Sequence, residues 1–358
     1  MTFTTTRRAA LALAGGLLAV GLAGPTAASA AEIKVLNWQG YGTDEKWALE
    51  MFEKKTGIKV VHDYFNSEQE MLTKLRTAPG TYDVVLMNNV YVPEAAKEGL
   101  IQPIDESKIT NFADLTPSLR DSDRFVVDGK HMAISWVWGL TSFAFNTDKV
   151  KAPDSIADVF DEGKFKGKVG WRDDAVESVQ LAALATGQDM NNPADLGKIK
   201  EQLMKLKGTL NTFWSSEDEW NKHLSAGDFD VATYWSGSAA RAKKAFKLPV
   251  EFWVPKEGAI GWYDGLTVAK DAPNVDGAHA FIDFMVSPDF YVKWDTDVGA
   301  PASANAKANS MLPDTAMNKT VLGNADIVAR VKWMAPMTDE QKKSYQELWD
   351  EVKTAIAK

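Results

Sequence analysis

The chain has 358 residues, with 49 acidic and 40 basic side chains and a formal net charge of −9 at pH 7. This acidic balance argues against nucleic acid as a partner, because the phosphate backbone attracts basic proteins. The chain contains no cysteine, so its stability rests on packing rather than on disulfides, and no lipid can be attached through a thiol. Hydrophobic residues make up 45% of the chain, enough at this length for two cores.

Residues 1–30 have the pattern of a secretory signal peptide. Arg7 and Arg8 precede an apolar run over 9–24, and small residues at 28–30 suit a cleavage site. We therefore predict cleavage after residue 30 and a freely diffusing protein in the periplasm. The paired arginines and the Gly/Ala-rich run indicate the twin-arginine export route. The alternative is a single membrane anchor, which the shortness of the run and its glycines disfavour.

Beyond residue 30, short apolar runs alternate with amphipathic segments, which indicates α/β layers with a largely parallel sheet. The predicted strands cover 33–37, 58–62, 83–87, 168–171, 231–235 and 265–268. Helices are predicted to start after Thr43 and Ser67 as N-caps, at Ser236, and at Thr338 near the C-terminus.

The pattern of elements changes near 136–139 and predicts two α/β lobes joined by crossover strands. The first lobe is predicted to comprise 31–138 plus 265–308, and the second 139–264 plus 309–358. In such folds a ligand cleft lies where the carboxyl ends of strands from both lobes converge.

Catalytic motifs are missing from the sequence. The four histidines are scattered without ligand or triad spacing, and no HExxH, GxSxG, Walker or GxGxxG motif follows residue 30. We therefore expect no enzymatic activity, no metal site and no cofactor.

Aromatic and acidic residues recur where the predicted strands end. They are Trp38, Tyr41, Asp174, Glu177, Trp235, Trp262 and Asp264. Taken singly, such aromatic residues are more often core residues, and an aspartate can simply cap a helix. Together they predict a box for an alkylammonium, because aromatic faces attract cations and carboxylates pair with a buried ammonium. A glycosidase cleft is the alternative, since tryptophan platforms with paired carboxylates also occur there.

Seven segments match a known family in chain order. They are 37–41, 55–60, 98–102, 173–177, 235–239, 255–264 and 299–301. With them the chain resembles the periplasmic polyamine-binding proteins of ABC importers, the spermidine/putrescine type. The resemblance implies a type II periplasmic-binding fold with a hinged cleft, and a membrane permease as partner. We also expect a monomer. The resemblance further implies ligand contacts by Trp38, Tyr41, Trp235 and Trp262, and amine binding by Asp174, Glu177 and Asp264.

Departures from that family indicate a smaller ligand. The Thr-Glu pair of spermidine binders is Gln39-Gly40 here, a ligand-facing tyrosine is Ala300, and a glutamine after a late tryptophan is Met334. A ligand shorter than spermidine, or with fewer ammonium groups, fits better.

Arg241 adds a cation six residues after Trp235, early in a helix whose N-terminus favours anions. It suits a ligand carboxylate, and the ligand would then be a zwitterionic ω-amino acid such as γ-aminobutyrate. Alternatively, Arg241 is a solvated helix residue beside Lys243 and Lys244, or a structural partner of Asp174. The competing ligands are putrescine and spermidine, which the three retained acids support.

Overall fold

The computed structural model describes residues 31–357, so the predicted signal peptide lies outside the described residues. No helix within this part of the chain has the length and apolar character needed to cross a membrane.

Strands and helices alternate along most of the described chain. The strands are Glu32–Asn37 (β1), Lys59–Tyr64 (β2), Val84–Asn88 (β3), Ile101–Gln102 (β4), Val126–Val127 (β5), Lys130–His131 (β6), Ile134–Asn146 (β7), Val169–Arg172 (β8), Leu210–Trp214 (β9), Val231–Trp235 (β10), Val250–Trp253 (β11), Ala259–Ala269 (β12), Ala302–Ser303 (β13) and Val331–Trp333 (β14).

Seventeen helices accompany these strands in the described part of the chain. They are Lys46–Thr56 (α1), Glu68–Thr77 (α2), Val92–Lys97 (α3), Pro117–Arg120 (α4), Ile156–Val159 (α5), Glu162–Phe165 (α6), Ala175–Ala185 (α7), Leu196–Met204 (α8), Leu206–Thr209 (α9), Glu217–Ala226 (α10), Ser236–Lys244 (α11), Val275–Met285 (α12), Pro288–Asp297 (α13), Ala306–Ser310 (α14), Met317–Thr320 (α15), Ala325–Val328 (α16) and Asp339–Ile356 (α17). Short 3₁₀ turns cover Glu106–Lys108 and Phe112–Asp114.

One mixed sheet runs through the molecule in the order β2-β1-β3-β12-β7-β10-β8-β9. The strands β2, β1 and β3 are parallel at one end of this sheet, and β10, β8 and β9 are parallel at the other. The long strands β12 and β7 lie between them, antiparallel to each other and to their outer neighbours. The expectation of a largely parallel sheet therefore holds for the two ends, whereas the centre is antiparallel.

The apolar core is divided into separate clusters. The first draws on 33–137 and 263–316, and stacks the buried indoles of Trp136 and Trp294 with ring centroids 5.4 Å apart. The other two draw on residues from 140 onward, and one of them stacks Trp220 on Tyr234 at 3.7 Å. Large buried aromatic rings dominate the stability of such cores. The predicted lobe boundaries stay a prediction, which this separation supports.

The turn after β1 differs from the prediction. The helix begins at Lys46, and Thr43 does not cap it. The Thr43 hydroxyl instead accepts a hydrogen bond of 2.7 Å from Nδ2 of Asn37, which also donates to the carbonyl of Tyr41 over 3.2 Å. This buried amide fixes the turn that presents the Tyr41 side chain.

Candidate ligand-binding site

The strand register brings Asp264 of β12 opposite Asn88 of β3. Nδ2 of Asn88 donates to Oδ1 of Asp264 over 2.9 Å, and the Tyr41 hydroxyl donates to Oδ2 over 3.0 Å. Only 7% of Asp264 is exposed. Burial raises the pKa of this carboxyl to about 6, although the two hydrogen bonds act in the opposite direction. The site therefore contains a buried acid with both oxygens held in place.

Tyr41 lies within electrostatic range of both an acid and a base. Burial is the main cause that raises the pKa of its hydroxyl well above the ordinary value; Asp264 adds to this effect, and Arg241 opposes it. The ring packs edge-on against Trp136 and Trp294, with centroids 5.6 and 6.2 Å away. Tyr41 is thus a fixed, protonated donor at neutral pH.

Arg241 of α11 is buried and paired with a carboxylate. Its Nε and Nη2 donate to the two oxygens of Glu217 over 2.9 and 2.6 Å, and Nη2 also donates to Ser238. The buried Nη1 has no hydrogen-bond partner. With 8% of the residue exposed, the alternative of a solvated helix arginine is wrong. The alternative of a structural pair with Asp174 is also wrong, because Glu217 is the partner.

Three predicted residues meet at the end of β8, around a cation that the sequence analysis did not consider. Nη1 of Arg172 lies 2.6 Å from Oε1 of Glu177 and 3.7 Å from Oδ2 of Asp174. The guanidinium carbon lies 4.6 Å from the centre of the Trp235 ring, and the indole N–H of Trp235 donates to the same Oε1 over 3.1 Å. Asp174 also caps α7, by accepting from the backbone N–H of Glu177.

The tryptophans of the predicted box occupy different surroundings. Trp262 pairs with Gly139 across β12 and β7, and a Cβ added to Gly139 would lie 2.6 Å from its ring. The indole N–H of Trp262 is buried without a hydrogen-bond partner. Trp38 packs edge-on against Phe65 at 4.5 Å, beside the first core. The Trp262 ring can therefore occupy this position only because residue 139 is a glycine and has no side chain.

Comparison with protein families gives a match to the model of the bacterial extracellular solute-binding proteins over residues 47–322. The chain belongs to this family. Among curated proteins, this solute-binding protein is 31% identical over 346 residues to the spermidine/putrescine-binding periplasmic protein of Salmonella typhimurium, covering 95% of this chain and 97% of that one. The resemblance inferred from the sequence is confirmed.

Solved structures share the fold of this solute-binding protein. The spermidine/putrescine ABC transporter substrate-binding protein of Streptococcus pneumoniae has a TM-score of 0.80 at 23% identity, covering 91% of this chain and 99% of that one. The Atu4243–GABA receptor has a TM-score of 0.70 at 24% identity, covering 91% and 98%. The predicted periplasmic-binding fold is thus confirmed. The prediction of a non-enzymatic protein is confirmed too, since the family binds solutes without converting them.

Glu68 is an acid of this solute-binding protein that the sequence analysis missed. It is the first residue of α2, and its Oε2 is buried without a hydrogen-bond partner. Burial first, and then the charge of Asp264, raise the pKa of Glu68 well above its ordinary value, while the backbone N–H of Asn88 lowers it. An acidic residue in the first turn of a helix normally serves the helix dipole, so the sequence offered no reason to single it out.

Proposed function

We propose that this solute-binding protein captures a short linear aliphatic amine in the periplasm and delivers it to the permease of a polyamine-type ABC importer. Within that class we propose a zwitterionic ω-amino acid such as γ-aminobutyrate. The supporting observation is that Tyr41 lies within electrostatic range of two groups of opposite charge, the carboxyl of Asp264 and the guanidinium of Arg241 with its unpaired Nη1.

Asp264 is the proposed partner of the ligand ammonium. Its two oxygens already accept from Tyr41 and Asn88, and each carboxylate oxygen has a further lone pair for an ammonium hydrogen. A buried carboxylate is costly to ionise alone, and an incoming ammonium removes that cost by supplying the opposite charge. Trp262 would provide an apolar wall for the methylene chain.

Arg241 is the proposed partner of the ligand carboxylate. The two hydrogen bonds to Glu217 hold its guanidinium in one plane, so little side-chain freedom would be lost when a ligand binds. The free Nη1 carries two N–H donors, and hydrogen bonds from a charged donor to a carboxylate are the stronger kind. A diamine has no anionic group for this nitrogen.

A putrescine or spermidine ligand is the second candidate. The curated relative named for both compounds supports it. Buried oxygens without hydrogen-bond partners on Glu68 and Glu177 also favour a ligand with more than one ammonium group. Trp38, Trp235 and Asp174, which the sequence predicts as ligand contacts, would also contact a polyamine ligand.

Calorimetric titration of the chain from Ala31 onward with γ-aminobutyrate, putrescine and spermidine tests the proposal. We expect γ-aminobutyrate to bind most tightly, and Arg241→Ala to weaken it by at least tenfold. Lys243→Ala is the matched control, because Lys243 lies on the same helix but pairs with exposed Glu251 over 3.0 Å. Tighter binding of putrescine by the parent, or unchanged γ-aminobutyrate binding in a folded Arg241→Ala protein, overturns it.

A further inference from the structure

The Asp174–Glu177 end of the site contains a cation of the protein itself. Three donors converge on Oε1 of Glu177: Nη1 of Arg172 at 2.6 Å, the indole N–H of Trp235 at 3.1 Å and the hydroxyl of Thr141 at 3.3 Å. The same guanidinium lies over the Trp235 ring at 4.6 Å. The aromatic face of Trp235 and one oxygen of the Glu177 carboxylate are therefore already in use, whereas Oε2 of Glu177 is buried without a hydrogen-bond partner.

The position of Arg172 is set by its backbone as well as by its ion pair. Its backbone N–H donates to the Thr233 hydroxyl over 2.8 Å, where β8 runs beside β10. The side chain is 23% exposed and that of Glu177 is 12% exposed, so the pair faces a partly accessible space. Partial burial strengthens the attraction between such charges, because water screens them less.

A ligand with two ammonium groups meets an obstacle at this end. If one ammonium pairs with Asp264, the other needs a carboxylate and an aromatic face elsewhere in the cleft. Arg172 occupies the aromatic face of Trp235 and one oxygen of Glu177, and its own charge repels a second cation. A ligand with a single ammonium needs only Asp264 and is not affected in this way.

We propose that Arg172 is a specificity-determining residue whose guanidinium fills the second cation position of the cleft and thereby excludes diammonium ligands. This inference rests on the proposed function, because it takes Asp264 as the first cation position. Under this proposal Arg172, which lies beside Asp174 and Glu177, determines whether a monoamine or a diamine binds. Arg241 has a separate role, the recognition of a ligand carboxylate.

The test compares putrescine with n-butylamine, which has the same number of carbons and a single ammonium. Dissociation constants are measured by calorimetry for the parent, Arg172→Gln and Arg172→Ala. Removing the internal cation should improve putrescine binding by at least tenfold relative to n-butylamine in both variants. Arg172→Lys restores a cation beside Glu177 and should give no such gain. Arg120→Gln, which removes a guanidinium paired with neighbouring Asp121, is the matched surface control.

The outcomes separate this inference from the proposed function. If neither variant improves putrescine binding relative to n-butylamine, the inference is wrong, whatever the parent prefers. If the parent prefers putrescine to γ-aminobutyrate, the proposed function fails, whereas a tenfold gain on removing Arg172 still supports its role in excluding diamines. Arg172→Gln keeps most of the side-chain length and a donor for Glu177, so it carries the test if Arg172→Ala does not fold.

Discussion

The Tyr41 hydroxyl donates a 3.0 Å hydrogen bond to Asp264, although 223 positions separate the two residues in the chain. The contact joins the turn after β1 to the central strand β12. Asp264 is buried and Tyr41 is partly buried, so water competes little for this hydrogen bond. The Tyr41 hydroxyl therefore orients Oδ2 of Asp264 in the absence of any ligand.

Asp264→Asn should weaken binding of the amine ligand by at least tenfold. Removing one member of a buried charge pair typically costs about 2–5 kcal/mol, much of it from leaving the partner unpaired. Calorimetry at pH 7.5 measures the change. Asp271→Asn is the control, because Asp271 is exposed and its positive φ of 60° is tolerated by asparagine. Equal affinities for parent and Asp264→Asn would exclude Asp264 as the ammonium partner.

Ligand affinity should fall as the pH decreases below about 6. The pKa of Asp264 is raised by burial to about 6, and only the ionised carboxylate pairs with an ammonium. One pH unit below that value about a tenth of the carboxyl is ionised, so the affinity at pH 5 should be about tenfold weaker than at pH 8. The titratable neighbours of Asp264 are Tyr41 and Glu68.

Tyr41→Phe provides the control for this pH profile. A hydrogen bond to the ionised form lowers the pKa of a carboxyl, so removing the Tyr41 hydroxyl should raise the pKa of Asp264 further. The midpoint of the affinity profile should move to higher pH. A midpoint that stays in place would mean that another group controls the pH dependence.

Glu68→Gln should stabilise the ligand-free protein above neutral pH. The pKa of Glu68 is raised by burial, so its stabilising contribution is present below the unfolded value near 4.5 and is lost as the pH rises through the folded value. Glutamine does not ionise, so the variant loses no stability in this way as the pH rises. The difference in Tm between variant and parent should therefore grow from pH 5 to pH 8.5, and Glu50→Gln on the exposed face of α1 should show no such trend. A constant difference would contradict the prediction.

Gly139→Ala should displace the Trp262 ring, since the new Cβ would lie 2.6 Å from the ring and 2.9 Å from Oγ of Ser236. Loss of the aromatic wall is expected to cost at least about 1 kcal/mol of binding free energy, as for Trp262→Ala. Tryptophan fluorescence during titration measures both the change in the surroundings of the ring and the affinity. Trp262→Phe, which keeps an aromatic face, should bind more tightly than Trp262→Ala; equal affinities would remove Trp262 from the site.

The mature N-terminus is predicted at Ala31, within one residue. Mass spectrometry of the protein recovered from the periplasmic fraction measures it. Replacing Arg7 and Arg8 by lysine should abolish export if the twin-arginine route is used, and export that continues would show another route. An uncleaved N-terminus in the membrane fraction would support the anchor instead.

The sequence by itself determined the local elements, the family and most candidate ligand residues. The strand Val231–Trp235 was predicted with its observed bounds, and the capping box of Thr338 and Gln341 is present. Apolar periodicity and helix capping depend on residues a few positions apart, so both can be recognised from the sequence alone. The ordered motifs that matched the polyamine-binding proteins are also local.

The tertiary structure alone decided which charges meet. Strand β12 pairs antiparallel with β3, which lies far from it in the chain, and this pairing places Asp264 beside Asn88. Burial then raises the pKa of Asp264, and it also raises the pKa of Glu68, an acid that the sequence places only in the first turn of a helix. The ion pairs of Glu217 with Arg241 and of Arg172 with Glu177 are likewise formed only in the folded chain. The pKa of a side chain and the strength of its ion pairs depend on solvent exclusion and on neighbours distant in the chain. Neither can be recognised from the order of the residues.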